Sequence, residues 1–211
     1  MTRDAAFLPD KDSAASPEHP ETQLVQPAEV PVHLLRPLDR VGSDRATRPR
    51  RVGGKATGLA RLLQAGFPVP RGWVLESRHF KRQIEKALPR GYDVPTLIKL
   101  GSTKAGLDRS ARARELLLST PIPDEVRGAV EALWASLTDE AVWGLAVRSS
   151  ATCEDADDTS LAGLATTVLG VRGVDAVLRA IQEVWASAVL PRALSYLARA
   201  GMRDLVMVVV L

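Results

Sequence analysis

Gly53-Gly54-Lys55 and Arg148-Ser149-Ser150-Ala151-Thr152-Cys153-Glu154-Asp155 are the two stretches whose residue types can do chemistry. In the first, two glycines let the backbone turn sharply and approach a bulky anion, and unpaired N–H groups at a helix start favour negative charge. Lys55 adds a mobile point charge suited to phosphate oxygens. The same residues also fit a glycine-rich turn that caps a surface helix, and they do not form a Walker A loop. In the second, an arginine leaving the end of a buried strand donates in a planar fork, and Ser149, Ser150 and Thr152 add short-range donors. That set suits a polyphosphate. Glu154 and Asp155 can order the loop or hold a basic neighbour. The alternative is a surface loop closed by local side-chain to backbone bonds, which Ser, Thr and Asp favour in any case. Gly163, in Ser160-Leu161-Ala162-Gly163, marks either a close backbone approach or a turn.

Residues 1–31 carry Pro9, Pro17, Pro20, Pro27 and Pro31 among acidic and small residues. They bury too little apolar surface to offset the entropy of ordering, and a disordered tail is expected. Order is expected from Val32-His33-Leu34-Leu35, a short apolar run fit for a strand, followed by an irregular piece over 37–51. After Lys55, the residues Leu59, Leu62 and Leu63 fall at helical spacing, and Gly66 stops the helix. Phe67-Pro68-Val69-Pro70 must be extended. Trp73-Val74-Leu75 reads as a strand and 78–87 as a helix. The stretch over 89–120 reads as helical but weakly patterned, with a helix at 107–118.

Pro123-Asp124-Glu125 opens a better helix, its two carboxylates suiting the N-terminal dipole. Val126, Val130, Leu133, Trp134 and Leu137 form its apolar stripe. Leu145-Ala146-Val147 reads as a short buried strand and 166–169 as another. Residues 174–188 form an amphipathic helix with Val177, Ile181, Val184 and Trp185 inward, and 193–200 a short one. Residues 205–211 are apolar throughout, the pattern of a central strand with both faces covered. Such a strand needs a neighbour on each edge and a connection onward, so the expectation is a chain cut out of a longer architecture.

The 211 residues are 45% hydrophobic and 25% charged, which allows a sizeable core. Net charge is only +3, and basic residues alternate with acidic ones. Arg45, Arg48, Arg50 and Arg51 make one local cluster, which reads as solvated surface; no nucleic-acid partner is expected. Cys153 is the only cysteine, so no intrachain disulfide can form, and it reads as an inert or regulatory thiol. No stretch approaches the ~20 apolar residues that span a bilayer. With no signal-peptide pattern either, the expected location is the cytoplasm, away from the membrane. His33 and His79 are isolated, and no ligand cluster has metal spacing. Trp134 and Trp185 read as core.

Taken together, the motifs resemble the ATP-binding domain shared by phosphoenolpyruvate synthase, pyruvate phosphate dikinase and rifampicin phosphotransferase. The resemblance rests on Val52-Gly53-Gly54-Lys55-Ala56-Thr57-Gly58-Leu59-Ala60, then Gly66-Phe67-Pro68-Val69-Pro70-Arg71-Gly72-Trp73. It continues with Ala146-Val147-Arg148-Ser149-Ser150-Ala151-Thr152 through Glu154-Asp155, Ser160, Ala162 and Gly163, and more weakly with Trp185-Ala186-Ser187. It implies a partial dikinase-type ATP-binding domain over 32–211, α+β in class, the first lobe and part of an ATP-grasp-like fold. By that resemblance Lys55 and Arg148 contact the phosphates of ATP, and Arg148 is the catalytic candidate. Gly53, Gly54, Ser149, Ser150, Thr152, Glu154, Asp155 and Gly163 complete the binding set. The family moves the β-phosphoryl group of ATP onto a histidine of a separate swivelling domain, releasing AMP and phosphate, and from there to pyruvate or another acceptor.

The departures define the alternatives. Ala56 stands where the family has glycine, and Leu161-Ala162-Gly163-Leu164 where it has Phe-Ala-Gly-Gln. The acidic Mg2+ ligands and the phosphohistidine and acceptor domains are expected outside this sequence. The chain is therefore read as an ATP-binding module incapable of full catalysis alone, either a truncated piece or one chain of a split enzyme in which a separate chain supplies the second lobe. The other reading is a degenerate, non-catalytic interaction or regulatory module derived from that domain.

Overall fold

The computed structural model describes residues 33–42, 49–101, 103–137, 143–151, 166–199, 201 and 207–210. The tail expected over 1–31 lies outside them, as do Thr152, Cys153, Glu154, Asp155 and Gly163.

The apolar run near the C-terminus organises the rest. Its described part, β5 (Met207–Val210), pairs with β2 (Trp73–Leu75) on one edge and with β3 (Leu145–Ala151) on the other. β1 (Leu35–Pro37) extends the sheet beyond β2, and β4 (Thr167–Val171) extends it beyond β3. The order is β1-β2-β5-β3-β4, with every neighbouring pair antiparallel. The expected central strand is thus central, and both of its neighbours come from this chain.

Seven helices complete the described α+β fold: α1 (Pro49–Gln64), α2 (Ser77–Ala87), α3 (Val94–Leu100), α4 (Lys104–Ser119), α5 (Asp124–Ser136), α6 (Val174–Ala186) and α7 (Pro191–Arg199). The pleat divides them between two faces. Leu35, Leu75, Val209 and Val147 point into the larger core with Phe80, Leu97, Leu133, Ile181 and Trp185. On the other face Val74 and Val210 meet Val52, Ala56 and Ala60 of α1 in a smaller cluster. The stripe expected on α5 is buried at Val126, Val130, Leu133 and Leu137, with Trp134 packed partly buried against it.

Three expectations need correction. Of the three leucines at helical spacing, Leu62 is 44% exposed and does not mark the packed side, because α1 presents Val52, Ala56 and Ala60 to the sheet instead. Residues 89–120 are helical as expected, but the helix placed at 107–118 begins earlier, at Lys104, and a separate helix, α3, precedes it. The Asp93 carboxylate accepts from the Thr96 N–H and starts α3, and the Thr103 hydroxyl accepts from the Gly106 N–H and starts α4. Most important, β3 does not stop at Val147 but runs on through Arg148, Ser149 and Ser150 to Ala151. Polar side chains suggested a loop; the open backbone groups of β5 offered a ladder, and the chain took it.

His79 is buried between α2 and α5, and its Nε2 accepts from the Arg78 guanidinium at 3.2 Å. Burial, with Arg78 adding to it against the opposing pull of Glu125, lowers its pKa from 6.5 to about 4. A histidine neutral in the fold but charged when unfolded takes up protons on unfolding. Stability therefore falls as pH drops from about 6.5 toward 4, by up to ~3 kcal/mol, and levels off below. Chemical denaturation of the wild type against His79→Gln across that window checks this; the variant's profile should be flatter. In the sheet, Val209→Thr is expected to cost about 1–3 kcal/mol by burying an unpaired hydroxyl in β5, whereas Leu169→Thr, 73% exposed on edge strand β4, stays within about 0.5 kcal/mol. Urea titration compares the two.

Candidate functional site

The site is built around a break in α1. Helical geometry is interrupted at Gly53, with φ 76° and ψ 162°, and resumes for residues 54–64. Only glycine adopts that conformation without strain. A Cβ at residue 53 would also lie 2.9 Å from the Ser150 Cβ and 3.0 Å from the Ser150 carbonyl oxygen. Gly53 is therefore required twice, for its backbone angle and for contact with β3.

The resumed helix starts with N–H groups that have no partner within the helix. The Lys55 N–H donates to the Ser150 hydroxyl at 3.0 Å, so a side chain from a strand far along the sequence caps this helix. Within the turn, the Thr57 hydroxyl donates to the Gly53 carbonyl at 2.9 Å. The two motifs singled out in the sequence are thus in direct contact.

Strand pleating decides which residues of 148–150 share that contact. Arg148 stands in a row with Val210, Val74 and Arg36 across the sheet, on the face that α1 covers. Ser150, two positions on, shares this face. Arg148 lies about 7 Å along the strand from the residue that caps the Lys55 amide. Its Nε is buried and has no hydrogen-bond acceptor among the described residues. Arg148 also lines a cleft of about 360 Å³ with Leu59, Arg71, Trp73, Leu137 and Gly144. The Arg71 guanidinium sits 5.3 Å above the Trp73 ring, so the cleft mouth joins a cation to an aromatic surface. A buried, unanswered arginine donor beside a capped helix start suits an anionic ligand.

Ser149 points the other way. Its hydroxyl accepts from the Thr166 N–H at 2.8 Å, its own N–H donates to the Thr166 carbonyl at 2.9 Å, and it is buried in the opposite face. The structure does not bring Ser149 together with Lys55, Arg148 and Ser150, because strand pleating turns every second side chain to the other face. Thr152, Glu154, Asp155 and Gly163 lie outside the described residues.

Sequence reasoning missed Glu76 and misread Arg51. Glu76 follows the last residue of β2, is only 3% exposed, and accepts from Arg36 Nε at 3.0 Å and Arg51 Nη2 at 2.8 Å. Arg51, assigned to a solvated basic cluster, is therefore an ion-pair partner of a buried carboxylate. The signal was present: an acid directly after the apolar run Trp73-Val74-Leu75 cannot be buried alone and must find a cation.

Residues 49–211 match the family described as pyruvate phosphate dikinase, AMP/ATP-binding domain. The chain belongs to that family. Among curated relatives, rifampicin phosphotransferase of a Streptomyces species is 36% identical over 153 residues, covering 71% of this chain and 18% of its own length. The prodigiosin synthesizing transferase PigC of Serratia marcescens is 36% identical over 156 residues, 74% of this chain and 16% of its own. Phosphoenolpyruvate synthase of Escherichia coli is 33% identical over 158 residues, 72% of this chain and 20% of its own. The chain spans about a fifth of the length of these relatives. No helix of the described residues is long and apolar enough to cross a membrane.

Gly53→Ala is expected to destabilise the protein by at least about 2 kcal/mol through its positive φ and its collision with Ser150. Ser150→Ala removes only the cap, at a cost of about 1 kcal/mol. Urea unfolding of both variants tests the ranking; equal costs would contradict it.

Proposed function

We propose that this chain binds ATP by its phosphates between the Gly53-Gly54-Lys55 turn and Arg148, as the first lobe of an ATP-grasp-like domain spanning residues 32–211. The observation that carries this reading is the Lys55 amide docked on the Ser150 hydroxyl, which seats the glycine turn on the face that holds the unanswered Arg148 Nε. Lys55 and Arg148 then supply a point charge and a planar fork to the same anion, and positioning with charge neutralisation is what phosphoryl transfer needs. Thr152, Glu154, Asp155 and Gly163 remain candidates for the rest of the nucleotide site. Ala56, the departure from the family's glycine, is fully buried in the packing of α1 against the sheet. Its methyl group answers to the core, so it gives no ground for calling the turn degenerate.

In a longer assembly, the reaction served would pass the β-phosphoryl group of ATP to a histidine on another domain, releasing AMP and phosphate. A separate chain can supply that domain and the second lobe. Magnesium would arrive with the nucleotide. Among the described residues no group of three His, Cys, Asp or Glu could hold a cation.

Isothermal titration of the full chain with ATP, with and without magnesium, decides the reading. The wild type should bind, and Lys55→Ala and Arg148→Ala should each weaken binding at least about tenfold, as expected for loss of a charge-assisted contact. Ser149→Ala should leave affinity unchanged while costing about 1 kcal/mol of stability. Absence of binding by the wild type would overturn the proposal.

A further inference from the structure

Gly53 is a joint with freedom that no other residue type has, so the turn it makes is only as well placed as the segments on either side of it. The C-terminal side is fixed by Ser150, through the Lys55 amide. The N-terminal side is fixed by Glu76. Arg51 stands two residues ahead of Gly53, and its Nη2 meets the Glu76 carboxylate at 2.8 Å. The other carboxylate oxygen is held by Arg36 of β1 at 3.0 Å, and Arg78 lies 3.8 Å away. Among the described residues, Glu76 is the buried carboxylate. Its place in the sheet is telling. Leu75 shares a row with Val209 and Ser149, and Val208 is paired with Ser150. Continuing that register by one residue puts Glu76 on the row of Ser150, with only β5 between them. The two anchors of the turn thus stand level with each other, on the same face.

We propose that Glu76 is a positioning residue for the phosphate-binding turn. Its carboxylate clamps Arg51, and through it residues 51–53, so that the Lys55 amide meets Ser150 and the helix start faces Arg148. Arg36 serves the clamp by fixing the carboxylate from the neighbouring strand. Any buried carboxylate must have its oxygens answered; here the two partners come from a sheet strand and from the lead-in to the glycine turn, so the pairing ties one to the other. The proposal deepens the ATP-binding reading, but the placement of the turn can be measured without a ligand.

Amide hydrogen exchange of the full chain, with ATP titration alongside, tests it. Glu76→Gln should speed exchange at Lys55 about tenfold and weaken ATP binding by a similar factor, the size expected for loss of a charged hydrogen bond. Glu76→Asp should recover part of both. Arg51→Met, at a residue 42% exposed and therefore tolerant of change, should reproduce the Lys55 effect, and the double variant should add nothing further. Val126→Ala in α5 is the control for destabilisation alone; it should lower the melting temperature with Lys55 exchange and ATP affinity unchanged. Wild-type exchange at Lys55 in Glu76→Gln and Arg51→Met, or an equal effect in Val126→Ala, overturns the positioning role. If the wild type binds no ATP, the ATP-binding reading falls, and the exchange measurement still decides whether Glu76 sets the turn.

Discussion

The hydrogen bond from the Lys55 amide to the Ser150 hydroxyl joins a helix start to a strand 95 residues away in the sequence, and the arrangement around the site follows from it. A helix begins with donors that its own backbone cannot satisfy, and a cap is usually found in the residues just before it. Here those residues are Gly53 and Gly54, which have no side chain to offer. The cap must come from elsewhere in the fold, and β3 provides it. That requirement explains why Gly53 takes a backbone conformation closed to other residues and why it lies too near Ser150 to carry a Cβ.

The same contact makes the site depend on β5. β3 and β2 are not hydrogen-bonded to each other; β5, residues 207–210, lies between them and pairs with both. Without that strand, Glu76 at the end of β2 and Ser150 in β3 would have no common frame, and the two sides of the glycine turn could not be fixed together. The most apolar strand of the sheet thus positions its most polar corner. Val209 buries toward the large core, and Val210 toward α1, which is how one strand serves both layers.

Charge on the α1 face is sorted by burial. Glu76, nearly sealed from solvent, is matched by Arg36 and Arg51, and a buried carboxylate left alone would be costly. Arg148 lies on the same face, yet its Nε has no such match among the described residues. An ion pair that fixes structure and a buried donor with no partner among the described residues therefore stand on one surface, separated by the width of two strands. This division is compatible with the family to which the chain belongs, the AMP/ATP-binding domain of pyruvate phosphate dikinase.

Sequence alone determined the helices with strong apolar stripes, α5 and α6, because 3.6-residue periodicity reports directly on which side is buried. It also pointed to a central strand in the apolar run near the C-terminus, of which Met207–Val210 are described, since few other places accept an unbroken β-branched run, and it picked out Gly53-Gly54-Lys55 and Arg148-Ser149-Ser150 as the residues to watch. Only the tertiary structure decided that residues 148–151 extend the strand rather than leave it, because that choice depends on a ladder partner from the far end of the chain. The extension in turn divides Arg148 and Ser150 from Ser149. The pairing of Arg51 with Glu76 was likewise hidden, since a basic cluster looks solvated until the fold brings a buried carboxylate beside it. Local patterns fix what each segment buries; long-range pairing fixes which polar groups meet, and no window of sequence contains both partners.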